Sequence, residues 1–264
     1  MERNKIDKVK HVIAIVSGKG GVGKSTIATQ LALTFASFGY KTGLLDADIY
    51  GPSVPKMFNI ENERPSIKPE IDANKMIPIE RRNLKINSIG FFAAPEKAIV
   101  WRGPMVSNAI IQLVSETYWG DLDYLIIDFP PGTGDVQITL MQKFKIDGAI
   151  VVTTPQSLAL CDARKGAEML CNEKIGIQLL GIVENMSWFT PSAHSDEKYY
   201  IFGKDGGRKL ADEFNVPLLA QIPLVLEIGE AVEKGMDVET IQSENVIHIF
   251  GSLVDYLVDT IKNE

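Results

Sequence analysis

Residues 11–26 read HVIAIVSGKGGVGKST, and this stretch decides the fold. Residues 11–17 predict a buried strand, and a helical pattern follows at about 24–38, closed by Gly39. Between them lies the spacing G-x-x-x-x-G-K-[ST], from Gly18 to Ser25. A strand, a glycine-rich loop and a helix in this order predict a phosphate site built from backbone N–H groups and the helix N-terminus.

The loop contains two lysines for which we expect different roles. Lys24 should reach the β- and γ-phosphates of a nucleotide, and Ser25 should bind Mg²⁺. Lys19 is either a solvated surface lysine or a cation that reaches the nucleotide of a facing subunit. In the second case it would stabilise charge that develops during phosphoryl transfer, and hydrolysis would require a dimer.

The rest of the chain predicts an α/β fold with a mostly parallel sheet and helices on both faces, because continuous apolar strands alternate with helices. The length of 264 residues and the lack of an evident linker favour one P-loop NTPase domain over residues 1–264. Irregular excursions are expected at about 49–82 and 187–205. Further strands are predicted at 41–48, 84–90, 122–129, 147–154, 177–186 and 217–223, and further helices at 103–118, 157–173 and 244–262.

Composition argues against several partners and locations. The net charge is −7, which disfavours binding to nucleic acid or to an anionic membrane. No apolar run is long enough to span a bilayer, and the residues before the first strand do not resemble a signal peptide. Two cysteines and this N-terminus predict a cytoplasmic protein. The helix at 244–262 has an acidic polar face, so we expect it to pack on the domain instead of lying on a membrane.

Carboxylates follow two of the predicted strands. Asp46 and Asp48 lie at the end of KTGLLDAD, and Asp128 ends LDYLIIDF. Each alone is also typical of a turn after a strand. Together with the loop they predict a Mg²⁺ site at the carboxyl edge of the sheet. Gly132, four residues after Asp128, is placed where its backbone N–H could sense a γ-phosphate.

Six stretches together resemble one family: SGKGGVGKST, LLDADIYGPSVPKMF, WRGPMVSNAI, WGDLDYLIIDFPPGTGDVQITLMQ, VVTTPQSLALCDARKG and GIVENMSWF. They are similar to the Mrp/ApbC family of deviant-Walker-A P-loop ATPases, relatives of MinD, ParA and the nitrogenase iron protein. The resemblance runs from about residue 8 to about 240. It implies ATP/ADP and Mg²⁺ as cofactors, slow hydrolysis, and delivery of iron–sulfur clusters to apoproteins by a nucleotide-controlled homodimer.

The resemblance also implies roles for individual residues. Lys19 would cross the dimer interface, Asp48 would position the attacking water, and Asn185 would read adenine through its amide. Segment 222–231, which includes Pro223, would close the base pocket. The implied catalytic residues are Lys19, Lys24 and Asp48, and the Mg²⁺ residues are Ser25, Asp46 and Asp128. The implied ATP-binding residues are Gly18, Lys19, Gly20, Gly21, Val22, Gly23, Lys24, Ser25, Thr26, Gly132, Asn185 and Pro223.

One part of the family pattern is missing. Family members usually carry a C-x-x-C shortly after the ENMS motif, where it holds a cluster, such as [4Fe-4S], across the dimer. Here residues 187–203 contain no cysteine, so the iron–sulfur ligands are unknown. Cys161 and Cys171 lie ten residues apart on one predicted helix, ~15 Å along its axis, which is too far to share one small cluster. We expect them to be small buried hydrophobes, with a symmetric pair across a dimer as the alternative, and we expect His194 to be a solvated loop histidine.

Two other functions remain open. The chain could be a MinD- or ParA-like positioning ATPase, or a nucleotide-switched scaffold that does not ligate a cluster. The long motifs WRGPMVSNAI and DFPPGTGDVQ favour the carrier because they belong to the Mrp/ApbC resemblance.

Overall fold

The computed structural model describes residues 3–72, 74–92, 103–191, 193–194, 196–234 and 243–262. Within these ranges, eight strands form one sheet in the order β10-β9-β8-β1-β7-β2-β6-β5, and β3 and β4 form a separate pair. All pairs in the large sheet are parallel except β5 with β6, which confirms the predicted architecture. The strands are β1 (Val9–Val16), β2 (Thr42–Asp46), β3 (Ser66–Ile67), β4 (Met76–Ile77), β5 (Ile79–Arg81), β6 (Leu84–Ser88), β7 (Leu122–Asp128), β8 (Gly148–Thr153), β9 (Leu179–Glu184) and β10 (Leu218–Gln221).

Helices cover both faces of the sheet. The described residues form α1 (Lys24–Ser37), α2 (Val54–Met57), α3 (Pro69–Asp72), α4 (Gly103–Ser115), α5 (Asp135–Lys143), α6 (Ser157–Cys171), α7 (Gly206–Glu213), α8 (Leu226–Lys234) and α9 (Glu244–Lys262). Helices α1 and α9 pack on one face, and α4, α5, α6 and α7 cover the other. None of the helices in the described ranges is both long and apolar enough to cross a bilayer.

The burial of the central strand β1 on both faces explains why its residues 12–16 are all apolar and do not alternate with polar residues. In β1, Ile13 and Ile15 belong to the core under α1, whereas Ala14 and Val16 belong to the core on the opposite face. A strand that is buried on both faces needs apolar side chains at every position. The 11–17 prediction is therefore confirmed, with β1 starting two residues earlier.

The sheet order places the glycine-rich loop at the centre of the carboxyl edge. β1 lies between β8 and β7, and the register pairs Ile15 with Asp128 and Asp128 with Asp46. Open parallel sheets bind ligands at this edge, outside the carboxyl ends of their strands. The fold thus brings the loop and both strand-end aspartates to one place.

Helix boundaries follow the predictions with small differences. Helix α9 has the predicted bounds, whereas α4 and α6 end at Ser115 and Cys171, before the predicted 118 and 173. Helix α1 is closed by Gly39, whose φ of 86° lies in the left-handed region and whose N–H donates to the Ala36 carbonyl. Helices α5, α7 and α8 were not predicted.

The two predicted excursions differ in content. Residues 49–82 form the short elements α2, α3, β3, β4 and β5, of which β5 extends the sheet as an antiparallel edge strand. Residues 187–205 contain no helix or named strand among those described, but Phe189 bridges to Tyr199 and to Leu224. Residues 101–102, which begin the WRGPMVSNAI motif, and residues 235–240, at the end of the range of the family resemblance, lie outside the described residues.

Candidate nucleotide-binding site

A cavity of about 370 Å³ lies over the glycine-rich loop at the carboxyl edge of the sheet. Asp48 and Tyr50 form part of the opposite wall. A Cβ added at Gly20 or Gly21 would meet no heavy atom within 4 Å, so the backbone there faces open space in which a phosphate fits. The predicted residues that line the cavity are Lys19, Gly20, Gly21, Gly23, Lys24, Ser25 and Thr26.

Two of the residues predicted to bind the nucleotide, Gly18 and Val22, do not line the cavity and instead pack the loop against the rest of the domain. Val22 is buried in the core beneath α1. Gly18 packs against α6, and a Cβ added there would lie 2.0 Å from the Asp162 carbonyl carbon. A side chain at position 18 would therefore separate the loop from α6.

The side chain of Lys24 lies between the carboxylates that follow two different strands, Asp48 after β2 and Asp128 at the end of β7. Its ammonium is 2.6 Å from Asp128 Oδ1 and 3.5 Å from Asp48 Oδ2. Lys24 and Asp128 are both buried, and the nearby Ser25 side chain acts to lower the pKa of Asp128. The structure therefore brings together the lysine, the serine and the aspartates that the sequence assigned to one site.

Asp46 is fully buried behind this group. Its Oδ1 accepts from the Asp48 N–H at 3.1 Å, and its Oδ2 accepts from the Val54 N–H at 3.2 Å and from the Ser88 hydroxyl at 3.0 Å. By accepting from the backbone at Asp48 and Val54, Asp46 holds the chain segment that follows β2, and with it the backbone of Asp48, in place. Sequence reasoning did not identify Ser88, although its place at the end of β6 was a signal for it.

Burial determines the electrostatics of this site. Burial and, after it, the charge of the neighbouring Asp128 raise the pKa of Asp46 to about 7, against the opposing effect of Lys24. Burial also raises the pKa of Asp128, and the contact with Lys24 only partly offsets this. For Lys24, burial lowers the pKa, but attraction to Asp128 and Asp48 more than compensates, so its pKa is raised and it stays charged.

The donor set fits a magnesium ion that is shared with a nucleotide. Asp128 Oδ2 is buried and has no hydrogen-bond partner among the described residues, so one carboxylate oxygen is available for a metal-bound water. No group of three or more His, Cys, Asp or Glu in the described ranges is arranged to hold a metal. Mg²⁺ in nucleotide sites takes few protein ligands and completes its shell with waters and phosphates, which agrees with both observations.

Gly132 lies beside the loop with a φ of 95°. Its N–H, which we expected to face a γ-phosphate, donates to the Ser17 carbonyl at 2.8 Å. It would have to leave Ser17 to reach a phosphate, so its role as a sensor stays a prediction.

Asn185 and Pro223 lie at the other end of the loop. The Asn185 side-chain amide donates to the Val22 carbonyl at 2.9 Å. The chain on either side of Asn185 pairs with the chain beside Pro223, because the Ile222 N–H donates to the Glu184 carbonyl and the Ser187 N–H donates to the Ile222 carbonyl. The two segments assigned to the base pocket therefore meet, although base recognition itself stays a prediction.

The expectation that both cysteines are buried was wrong. Cys161 and Cys171 are both exposed on α6. The buried side of α6 is formed by Ala159, Ala163, Gly166, Ala167 and Leu170, and the two cysteines lie off that side. His194 is exposed, as expected, with its Nδ1 3.5 Å from a Glu197 carboxylate oxygen.

Comparison with known proteins identifies the family. A family model described as ParA, NUBPL iron-transfer P-loop NTPase, matches residues 8–258. The chain belongs to this family. The match agrees with the resemblance read from the motifs and with the P-loop NTPase fold seen here.

Similar proteins of this ParA/NUBPL family include one named iron-sulfur cluster carrier protein from Escherichia coli K12, 50% identical over 232 residues. That match covers 87% of this chain but only 61% of the relative, so the chain spans less than two thirds of that protein's length. A protein from Arabidopsis thaliana, named iron-sulfur protein required for NADH dehydrogenase, mitochondrial, is 46% identical over 231 residues, which are 87% of this chain and 72% of the relative.

Solved structures agree with the fold. A nucleotide-binding protein from Archaeoglobus fulgidus, in complex with ADP, superposes with a TM-score of 0.75 at 34% identity, over 90% of this chain and 93% of that one. The cell division ATPase MinD from Pyrococcus furiosus superposes with a TM-score of 0.63 at 21% identity, over 95% and 99% of the two chains. At that identity the MinD likeness concerns the fold alone.

Proposed function

We propose that this chain is an ATP-binding and ATP-hydrolysing carrier of iron–sulfur clusters, which acts as a nucleotide-controlled homodimer and delivers clusters to apoproteins. The observation that carries the nucleotide part is the contact of Lys24 with Asp128 and Asp48 at the open face of the glycine-rich loop. The carrier part is supported by the names of relatives about half identical over most of this chain.

In this proposal Lys24 changes partners when a nucleotide binds. In the structure, its ammonium is neutralised by Asp128 and Asp48. A triphosphate over the loop would offer stronger anionic partners, and the loop N–H groups would bind its oxygens. Lys24 would then hold the phosphates, and Asp128 would turn to the magnesium side of the site.

Hydrolysis requires a positioned water and a cation near the γ-phosphate. Asp48 is placed in the cavity wall, where its carboxylate would orient the water for in-line attack. Mg²⁺, when bound, would neutralise charge on the phosphates. Lys19, a half-buried residue of the loop that lines the same cavity, would reach the nucleotide of the second subunit and stabilise the transition state there.

The cluster is the cargo of this cycle, and its ligands must be thiolates for a standard site. The exposure of Cys161 and Cys171 leaves a symmetric pair across the dimer as a candidate for holding it. Cys161 is the better placed of the two, because the next residue, Asp162, contacts Gly18 of the nucleotide loop through its backbone.

The experiment that tests the cargo is anaerobic reconstitution with iron and sulfide, followed by iron analysis and visible absorption spectroscopy. It should include the wild type, Cys161→Ser, Cys171→Ser and the double variant. We expect a cluster in the wild type and in Cys171→Ser, and loss of it in Cys161→Ser. A wild type that binds no iron with or without ATP would refute the carrier function.

A separate measurement tests the nucleotide part. Single-turnover hydrolysis of ATP by the wild type should proceed, whereas Lys24→Ala should bind ADP weakly and hydrolyse no ATP. The exposed Lys56, which pairs with Glu233 and is not among the residues that line the cavity, provides a matched control as Lys56→Ala. Equal ADP affinity in Lys24→Ala and Lys56→Ala would remove the assigned role of Lys24.

A further inference from the structure

Glu184 is a buried carboxylate for which the ATPase cycle provides no role. It ends β9 directly before Asn185 and is 1% exposed. A buried carboxylate is costly unless donors satisfy its oxygens. Its partners and the chain segments that they belong to therefore indicate what it does.

Three donors from three places in the chain satisfy the Glu184 side chain. Oε1 accepts from the Gln221 side-chain amide at 2.8 Å, and it shares the Ser187 hydroxyl, at 2.9 Å, with the Glu184 backbone carbonyl, which lies 2.8 Å from that hydroxyl. Oε2 accepts from the Gly207 N–H, in the first turn of α7, where the helix dipole also favours a negative charge. All three partners are neutral groups, so the carboxylate acts as a shared acceptor that ties these segments together.

These partners mark both ends of the 187–205 segment. Ser187 begins it, and Gly207 follows its last residue by two positions. The close approach at the far end requires glycine, because a Cβ added at Gly207 would lie 2.8 Å from the Cβ of Glu184. Glu184 thus clamps both ends of a 19-residue excursion against the end of one strand.

The next residue connects this clamp to the nucleotide loop. The Asn185 amide donates to the Val22 carbonyl, and its backbone N–H donates to the Thr153 carbonyl of β8. A shift of the loop on binding a nucleotide therefore acts on Asn185, and through one peptide unit on Glu184. The surface that would respond includes the exposed side chains of Tyr199 and Ile201.

We propose that Glu184 is a positioning residue that couples nucleotide binding to the conformation of the 187–205 segment, by holding both ends of that segment against the strand that carries Asn185. The inference rests on the proposed nucleotide binding and adds a route by which the site communicates with a distant surface.

The test is hydrogen exchange, measured by mass spectrometry on the full chain with and without ADP and Mg²⁺. In the wild type we expect ADP to slow exchange both in the loop at 18–26 and in the segment at 187–205. In Glu184→Ala the loop should still respond to ADP. The segment should exchange roughly tenfold faster, because buried donors lose their acceptor, and its rate should no longer depend on ADP.

Two further variants separate coupling from a general loss of stability. Glu184→Gln places a side-chain N–H where the wild type has an acceptor oxygen, so it should weaken the response of the 187–205 segment to ADP. The exchanged pair Glu184→Gln with Gln221→Glu restores matched donors and acceptors and should recover it. Glu213→Gln is the matched control, because Glu213 is an exposed carboxylate on α7 that bonds to Arg164, and it should behave as the wild type.

The outcomes are distinguishable. A segment that responds to ADP in Glu184→Ala as it does in the wild type would overturn the coupling, as would a wild type in which the loop responds and the segment does not. A wild-type loop that ignores ADP would refute nucleotide binding itself, and the coupling with it. Should Glu184→Ala not fold, recovery in the exchanged pair supports the inference, and failure to recover overturns it.

Discussion

Replacing Lys24 with methionine should destabilise the nucleotide-free protein in a strongly pH-dependent way. Lys24 is a buried cation that lies 2.6 Å from the fully buried Asp128. Methionine keeps most of the volume and removes the charge. The variant leaves Asp128 and Asp46 buried with no cation from position 24, so their pKa values should rise further above the ordinary value of 3.8.

The size of the effect follows from the cost of keeping a carboxyl protonated. Each pH unit above 3.8 at which one carboxyl stays protonated in the folded state costs ~1.4 kcal/mol. For one carboxyl this is at most about 4 kcal/mol at pH 7 and about 1.6 kcal/mol at pH 5, because the wild type already carries part of the cost through its raised pKa values. Breaking a buried ion pair by removing one partner costs ~3–5 kcal/mol, which agrees with the value at pH 7.

The sign follows from the raised pKa of both carboxyls. A carboxyl whose folded pKa is raised contributes stability that is complete below its unfolded pKa and is lost as pH rises through the folded pKa. The variant should therefore lose most stability between pH 5 and pH 8. A loss of only a few kcal/mol is serious, since domains are stable by ~5–15 kcal/mol.

The assay is urea unfolding of wild type, Lys24→Met and Lys56→Met at several pH values, without nucleotide or magnesium. We expect the free energy of unfolding of Lys24→Met to approach that of the wild type at pH 5 and to fall well below it at pH 8. Lys56→Met should follow the wild type throughout. An equal deficit for Lys24→Met at both pH values would refute the reasoning, because a packing defect alone does not titrate.

Three other outcomes are expected. Lys19→Ala should leave ADP affinity nearly unchanged in calorimetry and lower ATP turnover by about a thousandfold, as loss of a transition-state cation does. Unchanged turnover would reject the role of Lys19 at the nucleotide of the facing subunit. Gly18→Ala should lower the free energy of unfolding by at least ~1–3 kcal/mol, since its Cβ would meet the Asp162 backbone, whereas Gly20→Ala should not. Asp123→Asn should be less stable than wild type near neutral pH, because the hydrogen bond from Lys10 lowers the pKa of Asp123. The stability that the ionised carboxylate contributes is lost only as pH falls below 3.8, so a difference in free energy of unfolding that persists in acid would contradict this.

The fold was predictable where burial on both faces leaves a clear pattern. β1 and α1 were located within two residues because an apolar strand, a glycine-rich loop and a helix form one contiguous signal. Helix α5 was not predicted, since it is a short helix that begins directly after the PPGTG turn and mixes polar with apolar residues. Its position depends on packing against α4, which a single sequence does not reveal.

The site was predictable where chain position alone brings groups together. Strand-end aspartates meet because parallel strands end at one edge, and the structure places Asp46, Asp128 and Lys24 there as expected. The burial of the cysteines could not be inferred, because it depends on which side of α6 meets the sheet. Glu184 was also missed, since its donors come from Ser187, from α7 and from β10, and one of them lies 37 positions away.

The hydrogen bond from Asn185 to the Val22 carbonyl fixes the orientation of the amide that we expect to meet the base. A carbonyl accepts only from a donor, so the side-chain nitrogen of Asn185 is fixed towards the loop and the side-chain oxygen points the other way. If the ring of a nucleotide lies against that oxygen, a 6-amino group satisfies it and a 6-keto group repels it. In that case the loop that we expect to bind the phosphates would also orient the amide that distinguishes adenosine from guanosine.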